Sequence, residues 1–156
     1  MEEPKALNAV ADFHKTFKLP IESEPIIPSH KRCALRVNLI QEELNELKEA
    51  IEDKDIVEVA DALADLQYVL SGAILEFGLG EKFKHIFDEV QRSNMSKTCK
   101  TMEEAKTTQL HYSEHKGMVS EIVESNGEYL VYRIEDGKVL KSVNYSPADI
   151  RKAMGK

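Results

Sequence analysis

The chain has 156 residues, of which 42% are hydrophobic and 31% charged, and its formal net charge is −7. That length and composition are typical of one soluble globular domain with a hydrophobic core of its own. The acidic balance excludes a general binder of nucleic-acid polymers or of membrane surfaces, because both need a basic surplus.

The N-terminal segment has an amphipathic pattern, and its apolar side chains at helical spacing predict a first helix over residues 3–18. The opening MEEPKALNAV lacks the basic start and the apolar core of a signal peptide, so we expect a cytoplasmic protein. The segment that follows contains three prolines within nine residues and predicts an extended loop.

Four more helices are predicted downstream from apolar stripes at helical spacing and from capping residues. Gly78 and Gly80 mark the end of the third helix, because glycine after an apolar stripe is a common stop signal. The approximate limits of the four helices are 31–53, 55–77, 81–93 and 101–115, with Asp55 and Thr101 as N-caps.

Cys33 and Cys99 have no CxxC spacing, which argues against a disulfide framework or a structural zinc site.

The C-terminal segment changes character and alternates β-branched and aromatic residues around Asn126-Gly127 and Asp136-Gly137. These dipeptides are strong hairpin signals, so two or three short antiparallel strands are predicted.

A final helical turn is predicted from Ser146 as its N-cap and Pro147 at its first helical position. Taken with the preceding elements, this predicts a single all-α domain over residues 1–156. We expect an antiparallel four-helix-bundle-like core over about 3–115, and a β-hairpin with the final turn over about 117–154.

Two acidic clusters lie on the second and third predicted helices. At about 100° per residue, Glu43 and Glu46 can reach one point beside the core, and the third-helix acids fall within about 60° of arc. Carboxylate oxygens in such rows are the ligands that Mg²⁺ and Mn²⁺ prefer. The clusters therefore predict a Mg²⁺ site, with Mn²⁺ also possible, whose candidate ligands are Glu43, Glu46, Glu58, Asp61 and Asp65.

Asp65 is the most telling of these acids. It lies in the middle of a helix, within ALADLQYVL, where Asp has poor helix propensity and no cap to form. Glu58 has an alternative role as the capping-box partner of Asp55, and Glu42 fits a solvated helix face equally well.

The acidic motifs resemble those of the all-α nucleoside triphosphate pyrophosphatases, the superfamily that holds MazG, phosphoribosyl-ATP pyrophosphohydrolase and the dimeric dUTPases. The family pattern is ExxE on one helix and ExxD on the next. Here Glu43 and Glu46 match the first half, and Asp65 resembles the Asp of the second. Ala62 stands where the family has Glu, and either Asp61 or Glu58 is its substitute.

The resemblance implies a MazG-type fold, a homodimer or homotetramer, and a Mg²⁺-dependent reaction. That reaction is (d)NTP + H₂O → (d)NMP + pyrophosphate, with nucleotide-pool housekeeping as its role. Glu42, or Glu46 if it is free of metal, would accept the proton of the attacking water.

The blocks FDEVQRSNMSK and GKVLKSVNYSPADI extend the resemblance to MazG-like pyrophosphohydrolases. Arg92, Asn94 and Lys97 supply donors suited to phosphate oxygens or a base edge, although they equally fit the C-terminal end of a helix. Lys141 and Tyr145 fit either a lid over the triphosphate or an ordinary charged surface.

Two other functions compete with this one. A hydrolase of the same fold acting on phosphoribosyl-ATP or dUTP differs only in base or sugar recognition, which the motifs do not expose. A non-enzymatic helical interaction module would treat the acids as solvated surface, and Asp65 disfavours it because a scaffold gains nothing from an acid there.

Overall fold

The structure, a computed structural model, describes residues 1–155. Helices dominate, and a two-stranded antiparallel sheet follows them, which confirms the predicted all-α class with a C-terminal hairpin. The elements in chain order are α1 (Ala6–Thr16), α2 (His30–Asp53), α3 (Ile56–Glu76), a 3₁₀ turn (Gly80–Lys82), α4 (Phe83–Met95), α5 (Met102–Lys116), β1 (Ser120–Ser125), β2 (Glu128–Arg133) and α6 (Ile150–Ala153).

The chain divides into two compact units, residues 1–83 and residues 84–156. The first unit contains α1 to α3, and the second contains α4 to α6 with the sheet. The predicted single domain over residues 1–156 stays a prediction.

Within residues 1–155, no single helix is long and apolar enough to cross a membrane. One bent pair of helices passes the test of length and composition only when the two are taken together.

In the first unit, α2 and α3 form a tight helical hairpin. Lys54 ends α2 in the left-handed conformation, with φ of 57°. Asp55 then caps α3, as predicted, because its side chain accepts hydrogen bonds from the backbone N–H of Val57 (2.9 Å) and Glu58 (3.2 Å). Since only two residues separate the helices, α3 runs back along α2, and α1 packs against α3.

The second unit is built around a small core of Cys99, Ala105, Tyr112, Val131 and Leu140. The hairpin turn falls at Asn126-Gly127, as predicted, and both residues have positive φ, 52° and 78°. This is the conformation that a two-residue turn needs to match the twist of its strands. The pairing places Ser125 opposite Glu128 next to the turn.

The predicted cap of the last helical turn is wrong. Asp149, not Ser146, caps α6, and its carboxylate accepts a hydrogen bond from the backbone N–H of Lys152 at 3.0 Å. Ser146 lies in the extended segment before α6. Its backbone N–H donates to Ser96 Oγ, and its Oγ accepts a hydrogen bond from Arg92. Pro147 therefore lies before the helix and not at its first position.

Candidate active site

The acids of the two predicted clusters lie close enough to interact across the α2–α3 hairpin. Glu43 is partly buried, whereas Glu42, Glu46, Asp61 and Asp65 are exposed. Partial burial raises the pKa of the Glu43 carboxyl, and the negative charges of Glu46, Asp65, Glu42 and Asp61 raise it further, in that order. Both helices therefore place carboxylates within electrostatic reach of Glu43.

The two candidate substitutes for the family Glu differ in their environment. Asp61 acts electrostatically on Glu43 together with Asp65, which lies one turn further along the same face of α3. Glu58 is exposed in the first turn of α3, where Asp55 binds its backbone N–H. Asp61 is therefore the candidate within electrostatic reach of Glu43, and the identity of the substitute stays a prediction.

Ala62, where the resemblance predicts Glu, is buried, with 3% of its surface exposed. A Glu side chain there would start from a buried position and would have to be desolvated or displace its neighbours. Burial at this position therefore favours a small apolar side chain over Glu.

We expect Ala62→Glu to destabilise the protein by about 3 kcal/mol or more, because the new carboxylate would be buried without a partner. Urea unfolding of the variant measures this loss. Ala64→Glu is the matched control, because Ala64 is exposed two residues further along α3. Equal stability of the two variants would contradict the packing explanation.

The acids have the donor chemistry that a hard divalent cation needs. Among residues 1–155, no three His, Cys, Asp or Glu side chains converge closely enough in this structure to hold a metal ion. The residue types fit Mg²⁺ or Mn²⁺, and the ligand set stays a prediction.

A second polar cluster, which sequence reasoning missed, lies inside the first unit. The Glu76 carboxylate is 1% exposed and accepts hydrogen bonds from Arg32 and Arg36, with Arg36 Nε at 2.8 Å and Arg32 Nε at 2.9 Å. Burial raises the pKa of Glu76, but hydrogen bonds and charges from the two guanidinium groups outweigh it and lower the pKa overall. This cluster joins the first turns of α2 to the last turn of α3.

His14 connects α1 to the same cluster. The ring is 1% exposed, and its Nδ1 lies 2.8 Å from the Pro20 carbonyl oxygen, to which it donates. Its Nε2 lies 3.2 Å from an Arg36 nitrogen and therefore accepts a hydrogen bond from it. Gly72 makes room for this arrangement, because a Cβ there would lie 2.6 Å from an Arg36 nitrogen. A glycine inside an apolar helix was the available sequence signal.

The predicted substrate-binding residues all lie in the second unit, and several have internal partners. Arg92 donates to both Glu89 oxygens (2.7 and 2.8 Å), to Ser146 Oγ and to the Pro147 carbonyl, both at 3.0 Å. The Arg92 hydrogen bonds are the main cause that lowers the pKa of Glu89 to about 2. Arg92 thus fastens the C-terminal segment to α4.

The other candidates in this unit also make local contacts. Lys97 Nζ donates to Asn94 Oδ1 at 2.8 Å, and Lys141 Nζ lies 4.4 Å above the centre of the Tyr145 ring. Tyr145 Oη forms a hydrogen bond with Ser93 Oγ at 2.8 Å. Their role in substrate binding stays a prediction.

The family model described as phosphoribosyl-ATP pyrophosphohydrolase matches residues 10–94, which is more than half of the chain. The chain belongs to this family. The matched range contains both acidic clusters and the buried cluster around Glu76, and it ends within α4. Family membership makes the protein a pyrophosphohydrolase-type hydrolase that acts on phosphoric anhydrides, and it confirms the superfamily resemblance.

A viral protein is also similar to this chain. "Uncharacterized protein L479" of Acanthamoeba polyphaga mimivirus is 25% identical in an alignment that covers 88% of this chain and 92% of the relative. Unlike the family match, the similarity includes most of the second unit.

Proposed function

We propose that the protein is a Mg²⁺-dependent nucleoside triphosphate pyrophosphohydrolase that converts a (d)NTP and water into a (d)NMP and pyrophosphate. The supporting observations are the family match over residues 10–94 and the acids of α2 and α3 around Glu43, whose pKa is raised by partial burial and by their charges. A protein gains no stability from such repulsion, so we infer that the cluster is retained to bind a cation.

The proposed roles follow from position. Glu43, Glu46, Asp61 and Asp65 would hold the cation, with Mn²⁺ as an alternative to Mg²⁺. When bound, Mg²⁺ neutralises phosphate charge and lowers the pKa of a coordinated water. Glu42 is exposed beside Glu43 and would accept the proton of the water that attacks the α-phosphorus. The bond from the α-phosphorus to the bridging oxygen then breaks, and pyrophosphate leaves.

The nearest alternative is a hydrolase of the same fold that acts on phosphoribosyl-ATP, as the family description names, or on dUTP. It would use the same acids and differ in base or sugar recognition. We place the protein in the cytoplasm, in nucleotide-pool housekeeping, as part of this proposal.

The decisive experiment measures pyrophosphate release with Mg²⁺ across canonical and modified (d)NTPs, dUTP and phosphoribosyl-ATP. We expect release from at least one nucleoside triphosphate, and loss of release when EDTA removes the cation. Release from phosphoribosyl-ATP alone would replace the proposal by its nearest alternative. No release from any substrate would leave the non-enzymatic module as the better description.

We propose that the active protein is a homodimer, or a homotetramer built from such dimers. Apolar residues recur every seven positions on α2 and on α3, and they lie on the side of the hairpin away from the acids. The most exposed are Ile56 at 76%, Val37 at 65% and Ile51 at 58%. The apolar face consists of Val37, Leu44, Ile51, Ile56, Leu63 and Leu70.

We expect Leu63→Glu to convert the dimer into a monomer, because a charge in the centre of the apolar face cannot be desolvated there. Light scattering after gel filtration measures the mass. Ala64→Glu is the control, because Ala64 is exposed on α3 and lies about 100° around the helix from Leu63. A wild-type protein that is monomeric at all concentrations would refute the homodimer.

A further inference from the structure

The second unit has a pocket that the family match does not include. It has a volume of about 420 Å³ and is lined by His111, Tyr112, Lys141, Ser142, Val143 and Tyr145. The first two residues belong to α5, and the others belong to the extended segment that follows the hairpin. The volume is in the range of small-molecule sites, and the proposed hydrolytic chemistry uses none of its α5 residues.

Hydrogen bonds fix the walls of this pocket. The backbone N–H of Lys141 donates to Tyr112 Oη at 3.2 Å, and the backbone N–H of Val143 donates to Thr108 Oγ1 at 3.0 Å. Thr108 is fully buried, so this anchor is shielded from water. Tyr145 Oη is held by Ser93 Oγ. A pocket whose walls are already ordered loses little conformational entropy when a ligand binds.

Lys141 lines the pocket, and Lys116 lies against Tyr112, another of its lining residues. Lys141 Nζ lies 4.4 Å from the centre of the Tyr145 ring, and Lys116 Nζ lies 5.0 Å from that of Tyr112. In the part of the chain that the structure describes, neither ammonium group forms an ion pair with a carboxylate. The nearby Glu104 carboxylate is engaged, because it accepts hydrogen bonds from Ser142 Oγ and from the backbone N–H of Lys100.

The imidazole of His111 adds a further polar group and a planar surface. Its ring stacks on His115 at 4.5 Å and meets Tyr112 edge-on at 5.6 Å. His115 Nδ1 donates to the His111 carbonyl oxygen at 3.0 Å, which orients the His115 ring. The pocket thus presents cations beside aromatic rings in a protein whose net charge is −7.

We propose that this pocket is a second ligand site, formed by residues of the second unit alone, for a nucleotide-class ligand with a phosphate group and a planar base. The Lys141 ammonium group rests on one face of the Tyr145 ring. A phosphate would draw the ammonium group into a charge-assisted hydrogen bond and uncover that face for the base. A nucleoside monophosphate supplies both groups, a phosphate for the Lys141 ammonium group and a base for the face of the Tyr145 ring.

The test measures the affinity of the full chain for deoxynucleoside monophosphates by isothermal titration calorimetry. EDTA is present, so that a metal-dependent site contributes nothing. Lys141→Ala and His111→Ala remove the cation and the planar wall, and both residues are exposed, so folding is preserved. Lys106→Ala is the matched control, because Lys106 is an exposed lysine of α5 that does not line the pocket.

We expect binding by the wild type and by Lys106→Ala, and a Kd that is about fivefold or more higher in each pocket variant. Inorganic phosphate alone and the free nucleoside are expected to bind more weakly than the monophosphate. The proposal is overturned if no monophosphate binds, if Lys141→Ala binds like the control, or if phosphate or nucleoside alone binds equally well. These outcomes are independent of pyrophosphate release, so failure here leaves the proposed function intact.

Discussion

Replacing Glu76 by Gln is expected to lower the free energy of unfolding by about 3–5 kcal/mol, although Gln has nearly the same shape. The Arg36 side chain is 6% exposed, and Glu76 supplies its ion pair and accepts a hydrogen bond from its Nε. The substitution leaves one guanidinium group buried without a counter-charge and a second, that of Arg32, without its partner. Removing one member of such a cluster costs far more than the intact pair contributes.

Urea unfolding measures the effect as a lower transition midpoint at an unchanged slope. Glu52→Gln is the matched control, because Glu52 is an exposed acid of α2, and we expect a change within about 0.5 kcal/mol there. A loss of less than about 1 kcal/mol for Glu76→Gln would show that water or a neighbouring group compensates the arginines.

The pH dependence of stability gives a second readout for the Glu76 cluster. The folded-state pKa of Glu76 lies below its ordinary value, despite burial, because Arg32 and Arg36 stabilise the carboxylate. Its contribution is therefore complete above the ordinary carboxyl pKa and is lost as the pH falls through the lowered folded-state pKa. We expect the stability difference between wild type and Glu76→Gln to shrink as the pH is lowered through that range.

The helices of the first unit could be predicted because their signals are local. Asp55 caps α3 within three residues of itself, and the apolar stripes of α2 and α3 extend over many turns. The approach of Asp61 and Asp65 to Glu43 also follows from spacing, since a two-residue connection forces the helices to run side by side.

The Glu76 cluster could not be predicted in the same way. Its ion pairs join residues that are 40 and 44 positions apart, and the charges of isolated arginines do not reveal their partner. The sequence did contain two unusual residues, an acid at the apolar end of α3 and the glycine at position 72 inside it. The packing of α1 and α2 against α3 explains both residues, and this packing is not visible in the sequence.

In the second unit, the sequence suggested a binding role for a side chain that has partners within the chain. Arg92 has the chemistry of a phosphate ligand, and spacing cannot tell that from an internal role. The structure gives it four hydrogen bonds within the chain, two of them to Glu89. A side chain that is already paired must break these bonds before it binds a substrate, so charge type alone overestimates its availability.

The second large effect is expected for Asp65→Asn, which should lower kcat for pyrophosphate release by about a hundredfold or more. Asn keeps the shape of Asp but removes the charge that a hard cation requires. Glu46→Gln should act in the same direction. The assay is pyrophosphate release at saturating nucleotide across a Mg²⁺ titration, in which the variant also needs more Mg²⁺ for half-maximal rate.

Stability should change in the opposite direction in the metal-free protein. The charge of Asp65 raises the pKa of Glu43, so ionised Asp65 and Glu43 destabilise each other in the folded state. A carboxyl whose folded-state pKa is raised costs stability as the pH rises through that pKa, and the cost persists at neutral pH. Asp65→Asn is therefore expected to have a higher Tm than wild type in EDTA, and a smaller Tm increase on adding Mg²⁺.

Asp53→Asn is the control for both measurements, because Asp53 is an exposed acid at the end of α2 that does not act on Glu43. We expect it to retain wild-type activity and the wild-type response to Mg²⁺. Equal loss of activity in Asp53→Asn and Asp65→Asn would remove the special role of Asp65. A lower Tm for Asp65→Asn in EDTA would make Asp65 a structural residue. Lost activity, gained stability in EDTA and a smaller response to Mg²⁺ are together the combination that a cation ligand predicts.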